Sequence, residues 1–202
     1  DLLKKALKTS FKNLEFFELE KLTKGQAISC YEAIKNAEKI DLPVTISACD
    51  NGVIYNYKEL MSLMENTSLD IIVWVARGYP GAVRNPEMYG WVDVDSDGKI
   101  RGVSVKKPLT NPEKDCVIIG TFTYKHADSF VQAVEAMIER KGTVNSEFYI
   151  DSCLQDSIDQ GKKIGAFEVD KYICWGTPND LRTYEYWQSC FNKWDEHPYK
   201  ID

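Results

Sequence analysis

The chain has 202 residues, enough for one domain with a sizeable core and short for two. Its 44% hydrophobic and 28% charged residues describe an ordinary globular protein, and the longest apolar run, residues 71–76, is far too short to cross a bilayer. A net charge of −6 argues against a nucleic-acid partner. No basic, apolar, small-residue leader marks a secretory signal, so no membrane partner and a cytoplasmic location are expected.

In chain order, residues 23–36 carry apolar side chains near a 3.6 period and predict a helix opening between Thr23 and Gly25. Residues 43–49 read as a β-branched buried strand that ends on Asp50 and breaks at Asn51-Gly52. A helix follows at 57–65, with Leu60, Met61 and Met64 on one face, and then an apolar strand at 70–76. Two buried strands around a helix imply a βαβ unit, hence an α/β fold with a parallel component. Residues 91–95 and 99–106 flank Ser96-Asp97-Gly98 as a hairpin. A strand is expected at 116–124, an amphipathic helix at 129–140 built on Phe130, Val131, Val134, Met137 and Ile138, a short helix at 151–160, and a strand, a break and a strand over 163–174. The last helix opens with Thr177 as N-cap, Pro178 at its first position and Asp180 in its first turn. No repeat or linker divides the chain, so residues 1–202 form one domain.

Six cysteines (Cys30, Cys49, Cys116, Cys153, Cys174 and Cys190) include no C-x-x-C pair, and neither His126 nor His197 is near them in sequence. This removes the strong zinc and redox patterns and leaves buried free thiols as the expectation. Asp93-x-Asp95-x-Asp97-Gly98 opens like a calcium loop, but its twelfth position is Ser104 where a bidentate Glu is needed. A solvated hairpin turn explains the same carboxylates more simply.

Asp50 stands at a strand end, where open α/β sheets hold ligands, and is placed to anchor a Mg²⁺ that bridges phosphates. An Asx-Gly turn accounts for Asp50-Asn51-Gly52 as well. The segments that follow favour the first reading. Thr23-Lys-Gly25-Gln26-Ala27, Cys49-Asp50-Asn51-Gly52, Tyr89-Gly90-Trp-Val, Val105-Lys106-Lys107-Pro108, Val117-Ile-Ile-Gly120-Thr-Phe-Thr-Tyr124 and Cys174-Trp-Gly176-Thr177-Pro178 occur in one order along nearly the whole chain. In order and spacing they resemble the sugar-1-phosphate nucleotidyltransferases, the NDP-sugar pyrophosphorylase family.

That resemblance implies a Rossmann-like three-layer α/β/α sandwich with a mixed, mainly parallel sheet. It implies transfer of a nucleotidyl group from an NTP to a sugar 1-phosphate or related phosphate ester, with release of pyrophosphate, for cell-surface polysaccharide synthesis. The implied cofactor is Mg²⁺ and the implied partners are the NTP and the phosphorylated acceptor, with a homo-oligomer left open. Asp50 would hold the metal and Lys107 the acceptor phosphate; Gly25, Gln26, Gly90, Lys106 and Gly120 would border the substrates. Apart from the resemblance, Arg84 follows strand 70–76 in a loop carrying Gly78, Pro80 and Gly81, where ligand sites are common, and is placed either to reach a phosphate or to be solvated.

The chain departs from the pattern in four places. No glycine-rich G-x-G-x-R loop precedes Gly25, so the chain is expected to start about fifty or sixty residues inside the family domain, roughly one βαβ-sized portion, and to represent its C-terminal three-quarters. The family's second metal aspartate falls at Cys174, a poor ligand for a hard cation, and Glu168 or Asp170 is expected to supply the oxygen, with Asp170 preferred. Lys106 replaces the sugar-contacting Glu of E-K-P, and Ile118 replaces a sugar-contacting Asn. These changes point toward a more acidic acceptor or an alcohol phosphate, while the sugar remains the leading expectation. Asp151, beside Glu147 and Tyr149 on the acceptor side, is expected to cap a helix. A non-catalytic regulatory or assembly module is the alternative function, and a glycosyltransferase using D-x-D at 93–97 is a third.

Overall fold

The computed structural model describes residues 2–35 and 41–194. Asn36, the predicted end of the first helix, and His197 lie outside the described residues. Along the chain come α1 (Leu2–Ser10), α2 (Gln26–Ile34), β1 (Val44–Ser47), β2 (Asn51–Ile54), α3 (Tyr57–Glu65), β3 (Ile71–Ala76) and α4 (Pro80–Arg84). After a 3-10 turn at Pro86–Met88 come β4 (Gly90–Val94), β5 (Ile100–Val105), β6 (Cys116–Tyr124), α5 (Ala127–Glu139), α6 (Ile150–Asp159), β7 (Ile164–Glu168), β8 (Lys171–Cys174) and α7 (Pro178–Lys193).

The sheet is organised around β6, whose side chains are buried on both faces. One edge of β6 pairs with β3. The other edge is shared: Cys116 and Val117 pair with Val92 and Trp91 of β4, and Thr121–Tyr124 pair with Ser47–Val44 of β1. The main order is β5-β4-β6-β3-β7, with β1 beside β6.

This corrects the expected sheet. It is mixed but mostly antiparallel: every partner of β6 runs against it, and β3 with β7 is the parallel pair among the described strands. The expected βαβ direction survives, because β1 and β3 both oppose β6 and so run parallel to each other. They are not neighbours, since β6 lies between them. A strand buried on both faces reads as a continuous apolar run whichever way its neighbours point, so hydropathy alone could not place it.

Alternate residues of β3 and β6 feed two cores. Ile71, Val73, Val75, Ile118 and Phe122 meet Phe130, Val134, Met137 and Leu154 from α5 and α6 on one face. Ile72, Trp74, Val117 and Ile119 meet Phe167 and, from α3, Leu60, Leu63 and Met64 on the other. The layers are therefore helix, sheet, helix, as the two-faced burial requires. Most predicted elements appear within a few residues of their expected places; α1, β2 and α4 were not predicted.

Two local readings are settled by hydrogen bonds. In the β4–β5 hairpin, Asp95 accepts from the backbone N–H groups of Asp97 (2.9 Å) and Lys99 (3.0 Å) and from Arg101 Nε (2.8 Å), so this carboxylate builds the turn. Asn51-Gly52 is not a turn but the start of β2, which pairs antiparallel with β8 in a separate two-stranded ribbon.

The α5–α6 layer is pinned by one bidentate ion pair. Arg140, just after α5, donates from Nε (2.5 Å) and an Nη (2.7 Å) to the two carboxylate oxygens of Asp156, whose side chain is only 5% exposed. Removing the guanidinium leaves a buried carboxylate unpaired, which is costly, although the half-exposed arginine means solvent screens part of the pair. Arg140→Met is expected to lower stability by about 2 kcal/mol, read as a lower urea midpoint with an unchanged slope.

Candidate active site

The shared edge of β6 creates the site. Between the stretch paired with β4 and the stretch paired with β1, residues Ile118–Gly120 have no strand partner on that side. Gly120 adopts a left-handed φ of 75°, where a side chain is strained, and an added Cβ would lie 3.1 Å from the Ala48 Cβ. The freed backbone is used by the incoming chain instead: Ala48 N–H donates to Gly120 O (3.0 Å) and the Asn51 amide to Ile119 O (2.9 Å). These bonds carry the segment between β1 and β2, and with it Asp50, across the gap.

A cleft of about 180 Å³ opens here, bordered by Gln26, Asp50, Gly90, Lys106, Gly120, Tyr149 and Asp151 among others. A second cleft of about 490 Å³ adjoins it, and the two share Asp50, Met88, Tyr89 and Cys174. Arg84 and, from the start of α7, Thr177, Asn179 and Asp180 line the second cleft together with Asp50. Thr177 caps α7 as predicted, its hydroxyl accepting from Asp180 N–H (3.2 Å).

Gln26, Gly90, Lys106, Gly120 and Asp50 are thus brought together from five separated segments. Gly25 lines neither cleft, but it brings two walls into contact. At φ 114° it lets Phe148 N–H donate to Lys24 O (2.8 Å) and Ala27 N–H donate to Phe148 O (3.2 Å). A Cβ at Gly25 would meet Phe148 O at 2.6 Å, so only glycine allows this approach.

Other placements differ from expectation. Lys107 is exposed and lines neither cleft, whereas Lys106, with a left-handed φ of 62°, turns its side chain inward. Lys106 Nζ donates to Met88 O (2.6 Å) and sits 5.4 Å from the centre of the Tyr149 ring. Asp170 does not join Asp50: Asn51 pairs with Cys174 and Ile54 with Lys171, so Asp170 sits at the far end of the β2–β8 ribbon, roughly 13 Å away at strand spacing. Glu168 is bound to Arg77 Nε (3.0 Å).

Sequence reasoning assigned Asp151 to capping, yet Tyr149 is the N-cap of α6 and makes no side-chain capping bond. Asp151 lies in the first helical turn, and its carboxylate packs so closely under Gly90 that a Cβ there would overlap it. Burial pushes its pKa above the ordinary carboxylate value, against the pull of its own N–H and the Lys106 charge. Its place beside Glu147 and Tyr149 on the acceptor side was the available signal, and helix chemistry explained it away.

Among the described residues no group of three or more His, Cys, Asp or Glu side chains could hold a metal. At the junction of the clefts, a Cβ on Gly176 would lie 2.9 Å from Asp50 Oδ2 and 3.5 Å from Cys174 Sγ. One carboxylate suits Mg²⁺, which keeps waters and draws further oxygens from substrate phosphates; the thiol does not add to that set.

Residues 4–190 match the nucleotidyl transferase family. The chain belongs to that family. No curated protein matches it. Among solved structures it is similar to a nucleoside-diphosphate-sugar pyrophosphorylase of Vibrio cholerae (15% identity, TM-score 0.70, covering 91% of this chain and 74% of that one). It also resembles the inositol-1-phosphate CTP transferase of T. maritima (16%, TM-score 0.57, 84% and 64%). HddC of Yersinia pseudotuberculosis, solved with GMP-PN, is a third (15%, TM-score 0.57, 95% and 72%). At these identities the likeness establishes the nucleotidyl transferase fold.

Gly120→Ala tests how the fold makes the cleft. It is expected to lower stability by about 1–2 kcal/mol, the strain of a left-handed L-residue. Hydrogen exchange should also speed up at Ala48 N–H, the group that bonds to Gly120 O.

Proposed function

We propose that the protein joins an NTP to a sugar 1-phosphate, or a related phosphate ester, and releases pyrophosphate. The observation that carries this reading is the convergence on Asp50 of two clefts, one with a polar, acceptor-sized lining and one bordered by Arg84. The family membership of residues 4–190 supports the reaction class. The names of the fold relatives, which pair nucleotides with sugar or inositol phosphates, support the acceptor class.

In the proposed reaction a phosphate oxygen of the acceptor attacks the α-phosphorus of the NTP. A P–O bond forms there as the bond to the bridging oxygen breaks, and that electron pair leaves with pyrophosphate. No covalent intermediate with the protein is needed, so catalysis is positioning and charge neutralisation. The smaller cleft holds the acceptor, with Gly90 and Gly120 letting it approach the backbone and Gln26 offering an amide at its rim. Arg84, on the wall of the second cleft, attracts a phosphate. Asp50, where the clefts meet, would hold Mg²⁺, which supplies neutralisation of phosphate charge when bound. The acceptor-facing cation is Lys106, with Lys107 outside the lining. NDP-sugars are glycosyl donors, which fits a role in building cell-surface polysaccharides.

Asp50→Asn is expected to cut Mg²⁺-dependent pyrophosphate release at least about a hundredfold, a loss on the scale of one preorganised charge, with the melting temperature retained. Near-normal turnover in this variant would remove Asp50 from the metal. Lys106→Ala is expected to raise the acceptor KM about tenfold or more, the cost of a charge-assisted hydrogen bond. Lys107→Ala should change it by less than about threefold, as befits an exposed lysine. The reverse ranking in steady-state kinetics would restore Lys107 as the acceptor ligand.

A further inference from the structure

A third cleft, of about 350 Å³, shares no lining residue with the two that meet at Asp50, and the proposed reaction does not use it. Ile100 and Ile164 are its buried apolar lining. The rest is Lys99, Arg101, Lys162 and Lys163 against one carboxylate, Asp95. Backbone bonds place these cations. Gly98, at φ 77°, turns the β4–β5 hairpin, and its carbonyl accepts from Ala166 N–H of β7 (2.8 Å), which pins Lys99 beside the start of β7. Gly161, at φ 79°, ends α6: its N–H donates to Ile158 O (2.8 Å) and Lys162 N–H to Ser157 O (3.0 Å), so the chain turns and delivers Lys162 and Lys163 to the same place.

Asp95 cannot neutralise the group. Its Oδ1 accepts from the backbone N–H groups of Asp97 and Lys99, and its Oδ2 is taken by Arg101. Among the described residues Lys99, Lys162 and Lys163 have no ion-pair partner, although Lys162 is half-buried. Asp70 accepts from the Lys163 backbone N–H (2.8 Å) but does not line the cleft. In a chain of net charge −6, four cations therefore repel one another at one cleft with a single acid to offset them.

We propose that this cleft is an anion site, separate from the clefts at Asp50, for a compact molecule bearing two phosphate groups. Lysines bind phosphate as point charges and an arginine fork bonds its oxygens, so the lining suits phosphate chemistry. One monoanion would leave most of the positive charge unmatched, whereas two phosphates offset it. The lining holds no aromatic ring on which a base could stack, so recognition rests on the phosphates and not on a nucleobase. The volume is in the range of small-ligand sites, and the two isoleucines accept a short carbon frame. A bound anion would tie the hairpin tip to the α6–β7 turn and stabilise the fold by linkage. Pyrophosphate and a bisphosphorylated metabolite share this chemistry.

The test is titration calorimetry with thermal unfolding, at fixed ionic strength, using pyrophosphate, 2,3-bisphosphoglycerate and sulfate. The protein is expected to bind at least one phosphate probe about tenfold or more tighter than sulfate, the scale of one further charge-assisted hydrogen bond, and to melt at a higher temperature with it. Hydrogen exchange should slow at Ala166 N–H and Lys162 N–H. A preference for pyrophosphate assigns the site to that anion, and a preference for 2,3-bisphosphoglycerate assigns it to a bisphosphorylated metabolite; both uphold the proposal. The double variant Lys162→Ala with Lys163→Ala should weaken the preferred probe about tenfold or more and remove the exchange protection. Lys162→Arg with Lys163→Arg should retain both, which separates lost charge from lost folding. Equal binding of all three anions would mean an adventitious ion only and overturns the proposal. No binding, unchanged affinity in the alanine variant, or protection confined to the segments around Asp50 overturns it too. Each of these leaves the nucleotidyltransferase reading standing, because the two sites share no residue and Asp50→Asn tests that reading by itself.

Discussion

The constraint on which the site depends is the divided edge of β6. A strand has two edges, and here one is given wholly to β3 while the other is split between β4 and β1. The split leaves Ile118–Gly120 without a strand beside them, and buried backbone groups must find partners somewhere. They find them in Ala48 N–H and the Asn51 side chain, which tie the end of β1 down at the gap. The left-handed Gly120 makes this geometry possible by turning β6 where its partner changes. Asp50 is placed by this arrangement, since it lies between the two residues that make the bonds.

The rest of the site is assembled by the same economy of backbone contacts. Lys106 N–H donates to Tyr89 O (3.0 Å), tying the end of β5 to the approach to β4, so Gly90 and Lys106 enter the cleft as a unit. Gly25 brings the start of α2 against Phe148, and the next residues of that segment are Tyr149 and the first turn of α6. Asp151 then packs under Gly90. Three glycines therefore hold three walls at their closest approach: a Cβ would meet the Phe148 backbone at Gly25, the Asp151 carboxylate at Gly90 and the Ala48 Cβ at Gly120. Their contribution is geometric, and the hydrogen bonds they permit provide the rigidity that positioning catalysis needs.

How legible this was in the sequence depended on the kind of information each feature carries. Helices and strands were readable because burial imposes a period, and α3 and β6 appear at their predicted limits. Strand direction was not, because β6 is apolar on both faces and gives no sign of its neighbours. Segments such as Tyr89-Gly90 and Gly120 were readable through their match to the motifs of a known family, in order and spacing, and not from either glycine alone. The choice of Lys106 over Lys107 rested on a left-handed φ of 62° at a non-glycine residue, which nothing in Lys106-Lys107-Pro108 announces. Asp170 was expected near Asp50 because it lies on the segment just before Cys174, but the antiparallel ribbon brings only the Cys174 end of β8 to Asn51. Asp151 was visible and misassigned, because an acid in a first helical turn already has an ordinary explanation.

The surroundings of Cys174 show why position 174 tolerates a thiol. Tyr79 packs edge-on against Tyr172 (4.8 Å) and Tyr89 (6.1 Å), and burial beside the Cys174 sulfur pushes the pKa of the Tyr89 and Tyr172 phenols above the ordinary value. These three rings form a desolvated wall, and Cys174 sits against it with Gly176 N–H donating to its Sγ (3.5 Å). A neutral thiol loses little by that burial, while a carboxylate in its place would need a cation to offset desolvation. Asp50 differs in being exposed and free of the ring cluster. It is the one carboxylate common to both clefts among the described residues. The second carboxylate of the region, Asp151, lines the smaller cleft and packs against Gly90. Two acidic groups thus lie in different surroundings, Asp50 exposed to solvent and Asp151 partly withdrawn beneath Gly90, where desolvation disfavours its charged form.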